Sequence, residues 1–272
     1  MRGEGGRPVR RPDRHRRLTA LPAAVALLGV FAISAAKPSP APAARAHHPA
    51  PPRVQVMIVG RDGVVLSAAR AIVAAPGTVH VAGRSCSVAA GTPLAVLVAL
   101  RRAGGPSFAL RDYGHCDGSP KDSAELFVKG LGGQPNAGRS GWEYKVEGAA
   151  GSTGAADPSG PMGDGRRLRN GAQLLWFYCE TTPAGCQRTL AVSPRAISAA
   201  PASSLQLTVG SYDDEGTLAP EMGASVTIDS LMAISGAGGK LTLSAPLAPG
   251  SYELTATQQG FVPSFPVLVT VR

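Results

Sequence analysis

One long apolar run, Leu18–Ala36, stands near the start of the chain; beyond it, hydrophobic positions come in short stretches that mostly alternate with polar ones. Val54-Gln55-Val56-Met57-Ile58-Val59 and Thr78-Val79-His80-Val81 are β-rich, with Gly and Pro supplying turns between them. The best helix signal follows. Thr92 stands as N-cap, Pro93 at the first helical position, Leu94 to Leu100 as the buried stripe and Arg101-Arg102 in the last turn, and Gly104-Gly105-Pro106 stops it. Strand patterns resume at Phe108-Ala109-Leu110, Leu126-Phe127-Val128, Trp142–Val146 and Leu174–Tyr178. The Gly/Ser/Pro/Asp-rich stretch from Gly148 to Arg169 predicts a long exposed loop. One helix among several strands is an α+β pattern.

After Cys186 the helix signal vanishes. Leu205–Val209, Val226–Ile228, Leu241–Leu243, Tyr252–Ala256 and Val267–Val271 alternate, and Pro249-Gly250 is placed for a tight turn. That spacing suits a small Ig-like antiparallel sandwich. The expected fold class is therefore mainly β with one principal helix. An α+β domain over 54–188 precedes an Ig-like β-sandwich over 189–272.

Charge changes the picture of the start. Seven of the nine net positive charges fall within residues 1–46, which hold eight Arg and one Lys against Glu4 and Asp13. A basic opening, an apolar middle and the small-x-small exit Ala44-Arg45-Ala46 predict a signal peptide over 1–46, cleaved between Ala46 and His47. A Pro/Ala tether is expected over 47–53. Left uncleaved, the apolar run would serve as an anchor, the one membrane contact expected. Residues 47–272 are then near neutral with no dense basic block, which excludes a phosphate-backbone binder and leaves no nucleic-acid partner. The exposed cluster Arg166, Arg167, Arg169 reads as a solvated loop.

All four cysteines lie beyond the leader, and an even count in an oxidising compartment reads as two disulfides. Three pairings are possible; joining near neighbours selects Cys86–Cys116 and Cys179–Cys186. Loop closure assigns them about 3.7 and about 2.5 kcal/mol respectively. No C-x-x-C spacing accompanies them, so no metal is expected. His47-His48 at a mature terminus offers an amine and an imidazole to copper, but it heads a flexible tether. The location implied is secreted or extracytoplasmic at the cell surface.

The segment Gly141-Trp142-Glu143-Tyr144-Lys145-Val146-Glu147, its Gly-rich sequel, and Leu168-Arg169-Asn170-Gly171-Ala172-Gln173-Leu174-Leu175-Trp176-Phe177-Tyr178 resemble the signature of the transcobalamin-like C-terminal domain family. The resemblance covers about residues 54–188. The cysteine-bearing stretch from Arg84 to Cys116 is similar to that of secreted actinobacterial proteins carrying the same domain. The chain departs from the pattern at Glu147, where the family often has Asn, and at Asn170-Gly171-Ala172, where it often has an acidic turn. The resemblance implies a β-grasp-like domain of the soluble-ligand-binding kind. In vitamin B12 carriers such a domain closes over cobalamin with a large helical domain. No such partner domain is read in this chain, and no cofactor is expected. The tail, with Gly223-Ala224-Ser225-Val226 and Pro249–Leu254, is similar to bacterial Ig-like or carboxypeptidase-regulatory-like modules.

Aromatic residues are scarce, yet Trp142, Tyr144, Trp176 and Tyr178 concentrate on two expected strands, and alternation puts each pair on one face. Two readings follow: a platform for a flat ligand or sugar, or core packing against the Leu94–Leu100 helix. No G-x-S-x-G, H-E-x-x-H or phosphate-loop pattern is present, so no enzyme and no catalytic residue is expected. Asp213-Asp214-Glu215-Gly216 reads as a polar turn rather than a calcium loop. The sequence thus leads to a non-catalytic extracellular binding protein. Its partner is an unknown small molecule, or a surface polymer or protein; the alternative is an architectural or adhesive envelope role.

Overall fold

The alternation in Arg53–Val59 becomes β1, which turns through a short 3-10 segment into the antiparallel β2, Val65–Val73. A computed structural model describes residues 50–183, 185–244 and 247–272. The expected signal peptide, the Ala46–His47 junction and His48 lie outside the described residues. Arg53 opens β1, and the carbonyl of Pro52 accepts from the Ala74 amide at 2.8 Å.

The chain is mainly β, with a single α-helix among the described residues. The hairpin β3 (Gly77–Val81) and β4 (Arg84–Val88) leads into α1, Pro93–Arg102. Then come β5 (Phe108–Asp112), β6 (Leu126–Leu131), β7 (Gln134–Pro135), β8 (Gly141–Val146), β9 (Ala149–Ala150) and β10 (Gln173–Cys179). The principal sheet has the order β2-β1-β10-β8-β9, with β1 and β10 parallel at its centre. Strands β5, β6 and β7 form a separate small sheet.

Helix α1 starts where the sequence places it, for a visible reason. The Thr92 hydroxyl accepts the Ala95 amide at 3.2 Å and donates to the Ala89 carbonyl at 2.9 Å, with Thr92 fully buried. Replacing Thr92 by Ala strands both buried groups. A loss of about 1–2 kcal/mol is expected in urea unfolding, largely spared in Thr92→Ser.

The stretch from Gly148 to Arg169, expected as an exposed loop, is largely irregular and exposed only in part. Ala155, Ala156, Pro161 and Leu168 are buried; the Leu94 amide donates to Ala155 O and the Leu168 amide to Gly91 O. Its small residues are what permit this close packing. A Cβ on Gly160, at φ +93°, would run into the carbonyl of Arg166. Composition signalled turns correctly but did not reveal that the turns lie on the core. Arg166, Arg167 and Arg169 are exposed.

The C-terminal half builds two sheets. β11 (Thr189–Ser193), β14 (Leu218–Pro220) and β17 (Lys240–Ser244) all pair with β13 (Ser204–Tyr212). The other sheet has the order β12-β19-β18-β15-β16, from Ala196–Ala199, Val267–Val271, Gly250–Thr257, Ser225–Ile228 and Leu231–Ile234. Leu205, Leu207 and Val209 from the first meet Val226, Leu254 and Val269 from the second in one hydrophobic core. A separate core in the N-terminal half gathers Val56, Ile58, α1 and the four aromatic residues. A third, smaller cluster of Met57, Val59, Leu175, Phe177 and Cys179 with Val262 and Phe265 joins the halves into one compact unit.

Cys86 is bonded to Cys116 and Cys179 to Cys186, so all four cysteines are used. Two disulfides favour an extracellular location. Among the described residues no helix is long and apolar enough to cross a membrane.

Candidate functional site

Strands β8 and β10 pair so that Trp142 faces Tyr178 and Tyr144 faces Trp176. The ring pairs are close, 5.7 Å and edge-on for the first, 5.3 Å and tilted for the second. Alternation does bring the four onto one face, but that face is the interior one. All four are at most 4 % exposed and belong to the N-terminal core. In this conformation they offer no open platform. Their polar tips are tied inward: Trp142 Nε1 donates to Gln134 O at 2.7 Å and the Tyr144 hydroxyl to Thr153 O at 2.9 Å. Arg61 donates to the Tyr178 hydroxyl at 2.9 Å and lies 4.5 Å over its ring. Trp176 Nε1 is buried with no acceptor. Burial also raises the Tyr144 phenol above its ordinary range.

The opposite face of the same sheet carries a group that sequence reasoning passed over. Lys145 alternates away from the aromatic face yet is 1 % exposed. Its ammonium lies 3.0 Å from Asp214 Oδ1, an ion-pair contact without hydrogen-bond alignment, and donates to Asp213 O at 3.2 Å. The Phe177 ring centroid is 5.4 Å away. Burial pulls the Lys145 pKa below the usual lysine value, and Asp214 opposes that pull. Asp214 Oδ2 also accepts the Cys186 amide at 3.0 Å. The turn read as merely polar therefore clamps the two halves together. Its neighbour Asp213 accepts the Thr217 amide at 2.7 Å and sits 3.6 Å from Arg188.

Glu147, where the resemblance departs, completes the clamp. It adopts φ 52°, a conformation Asn tolerates better than most residues. Its carboxylate accepts the Gln173 amide at 2.9 Å and Arg195 of the C-terminal half at 2.7 Å. That bond raises the Arg195 pKa. The longer acidic side chain supplies a tie to the second half.

Flanking the apolar seam at Val262 lies a cleft of about 920 Å³, walled by both halves. Asp62, Glu180 and Gln187 approach from one side and Gln258, Gln259 and Phe261 from the other. Glu180 accepts the Asp62 amide at 3.4 Å, and its own amide donates to Gln187 at 3.0 Å, fixing that wall. The Gln258 amide oxygen is buried without a donor. The lining holds two carboxylates and no Lys or Arg. Such a set of amides, carboxylates and one ring recognises neutral, hydroxyl-rich or cationic molecules rather than anions. The residues come from distant loops, and Gln258-Gln259-Gly260 after a strand was the one local signal.

A second exposed feature occupies the outer face of β5 and β6. Tyr113 and Phe127 are exposed, with ring centroids 5.9 Å apart, and Arg111 stacks 4.6 Å over Tyr113. His80 and His115 are exposed, with Nδ1 atoms near Ser85 Oγ and Gly114 O respectively. The chain matches no protein-family model and no curated protein.

Proposed function

We propose that this chain is a secreted or cell-surface, non-catalytic binding protein that holds a small hydroxyl-rich molecule in the cleft between its halves. The N-terminal half is read as a β-grasp-like domain of the transcobalamin C-terminal kind. What supports this is the order β2-β1-β10-β8-β9, its parallel central pair and the single helix in the same core. The C-terminal half is read as an Ig-like module, supported by two sheets around one core. The observation that carries the binding role is the cleft itself. Its lining residues Phe261, Pro263, Glu180 and Gln187 adjoin the apolar seam through Val262, Cys179 and Cys186, which favours pre-organised walls. No nucleic-acid partner and no cofactor belong to this reading.

Chemical-shift mapping of the full mature chain against neutral sugars and amino sugars tests it. Shifts are expected around Gln258 and Glu180, with Gln258→Ala and Glu180→Gln each weakening binding at least tenfold. Saturating sugar with no shift in the cleft defeats the reading.

The exposed Tyr113–Phe127–Arg111 strip favours a second reading, an adhesive role on a surface polymer. In that case the shifts gather on β5 and β6 and respond to polymer rather than to small sugars.

A further inference from the structure

Asp112 is an unusual neighbour for a disulfide. Its side chain is 4 % exposed, and one carboxylate oxygen, Oδ1, is buried with no hydrogen-bond donor. The other, Oδ2, accepts the Cys116 amide at 3.3 Å and lies 3.6 Å from Arg84. The sulfurs of Cys86 and Cys116 and a carboxylate oxygen of Asp112 all lie within 4.8 Å of one another. Among the described residues no other group of three such side chains converges this way. The second disulfide, Cys179–Cys186, has the Thr181 hydroxyl beside it instead.

A buried carboxylate oxygen without a donor carries a desolvation penalty, which the Cys116 amide and Arg84, both on Oδ2, offset only in part. We propose that Cys86, Asp112 and Cys116 form a latent site for a zinc-class cation, opened when a dithiol reductant cleaves the Cys86–Cys116 bond. The step balances. The dithiol gives up two electrons and two protons as its own sulfurs join, the Cys86–Cys116 bond breaks, and each cysteine leaves with one proton. The cation displaces both protons and takes two thiolates and one carboxylate.

Bonds of about 2.3 Å to sulfur and about 2.1 Å to oxygen put tetrahedral ligands roughly 3.5–3.8 Å apart. The three groups already lie within 4.8 Å of one another, so a small movement as the sulfurs separate suffices to reach that range. A divalent ion with three anionic ligands has a net charge of −1, and the Arg84 guanidinium stands beside Asp112 to neutralise it. The Cys116 amide already holds Asp112 Oδ2, which leaves Oδ1 for the metal. A fourth position stays open to water or to a ligand.

The test uses the full chain, reduced by a phosphine under inert gas and titrated with Co²⁺ and then Zn²⁺. One equivalent of Co²⁺ is expected to give thiolate charge-transfer bands and tetrahedral d–d bands, both erased by Zn²⁺. The bands should persist in Cys179→Ser/Cys186→Ser and vanish in Cys86→Ser/Cys116→Ser. Asp112→Asn should weaken zinc at least tenfold while the thiolates remain. Near-UV circular dichroism runs alongside; a reduced chain that loses its native signal should regain it with zinc. The proposal is overturned by a reduced chain that takes up no cobalt, or by bands that survive in Cys86→Ser/Cys116→Ser. Undiminished affinity in Asp112→Asn overturns it too, as does an unfolded reduced chain that zinc fails to restore.

Discussion

Trp176→Ala should lower the unfolding free energy by about 3–5 kcal/mol, the usual consequence of emptying a large buried aromatic site. Trp176 is among the largest side chains of the N-terminal core and is 1 % exposed. Its ring leans on Tyr144 at 5.3 Å, a contact that adds about 0.5–1.5 kcal/mol beyond burial. Trp176→Phe should behave differently. It retains most of the apolar contact and removes Nε1, whose buried N–H has no acceptor. The lost ring volume and the lost penalty act in opposite directions, so Phe should stay within about 1.5 kcal/mol of the parent. Urea unfolding at constant m-value reads both. The contrast separates core from platform directly. If Trp176→Ala folds with near-parental stability and instead abolishes binding of a flat ligand, the interior assignment is wrong.

That experiment also marks where sequence reasoning stops. Alternation correctly puts Trp142 with Tyr144 and Trp176 with Tyr178, because side-chain direction along a strand is a local property. Whether the shared face points inward depends on what lies over it, and neither strand encodes that. A hint was present in Met57-Ile58-Val59 and Leu174–Tyr178, which are apolar on both faces. Such runs mark strands covered on both sides. Here Ile58 and Trp176 enter the N-terminal core while Met57, Val59, Leu175 and Phe177 meet Val262 and Phe265. Lys145 was illegible for the same reason: a lysine on a strand's outer face is ordinarily solvated, and its cover arrives from a turn 68 residues away.

Other gaps have different causes. Val65–Val73 is a strand that the pattern did not reveal, because Ala68-Ala69-Arg70-Ala71 alternates weakly and favours helix. Pairing along β1 overrides that propensity. The start of α1 was legible to the residue, since the Thr92 cap and Pro93 are local chemistry. The disulfides join the near neighbours that spacing selected, yet nothing in the spacing shows Asp112 beside one of them. The cleft was the least accessible feature, because its walls come from loops after β1, β10 and β18.

Asp214→Asn should cost about 3 kcal/mol at neutral pH and, unlike a packing defect, should be relieved by alkali. Asn preserves shape and can still accept the Cys186 amide, so the change isolates the carboxylate charge. What remains is an ammonium 1 % exposed that has lost its contacting carboxylate and keeps only the weaker pull of Asp213, a situation in which breaking a buried pair is damaging. Burial already holds the Lys145 pKa below the usual lysine value, with Asp214 pulling the other way. Between the folded and unfolded pKa values the unfolded chain binds more protons, so stability contributed by this group rises with pH. Removing Asp214 lowers the folded value further and extends that window downward. The deficit of Asp214→Asn against the parent should therefore shrink as pH is raised from 7 to about 9.5. Lys145→Met should cost less, because Asp214 keeps its amide donor and is 27 % exposed. Combining it with Asp214→Asn should recover most of the stability that Asp214→Asn loses alone. Chemical unfolding of the four proteins across that pH range decides the matter. A deficit unchanged by pH, or a double variant no better than Asp214→Asn, would mean that the turn joins the halves through shape rather than charge.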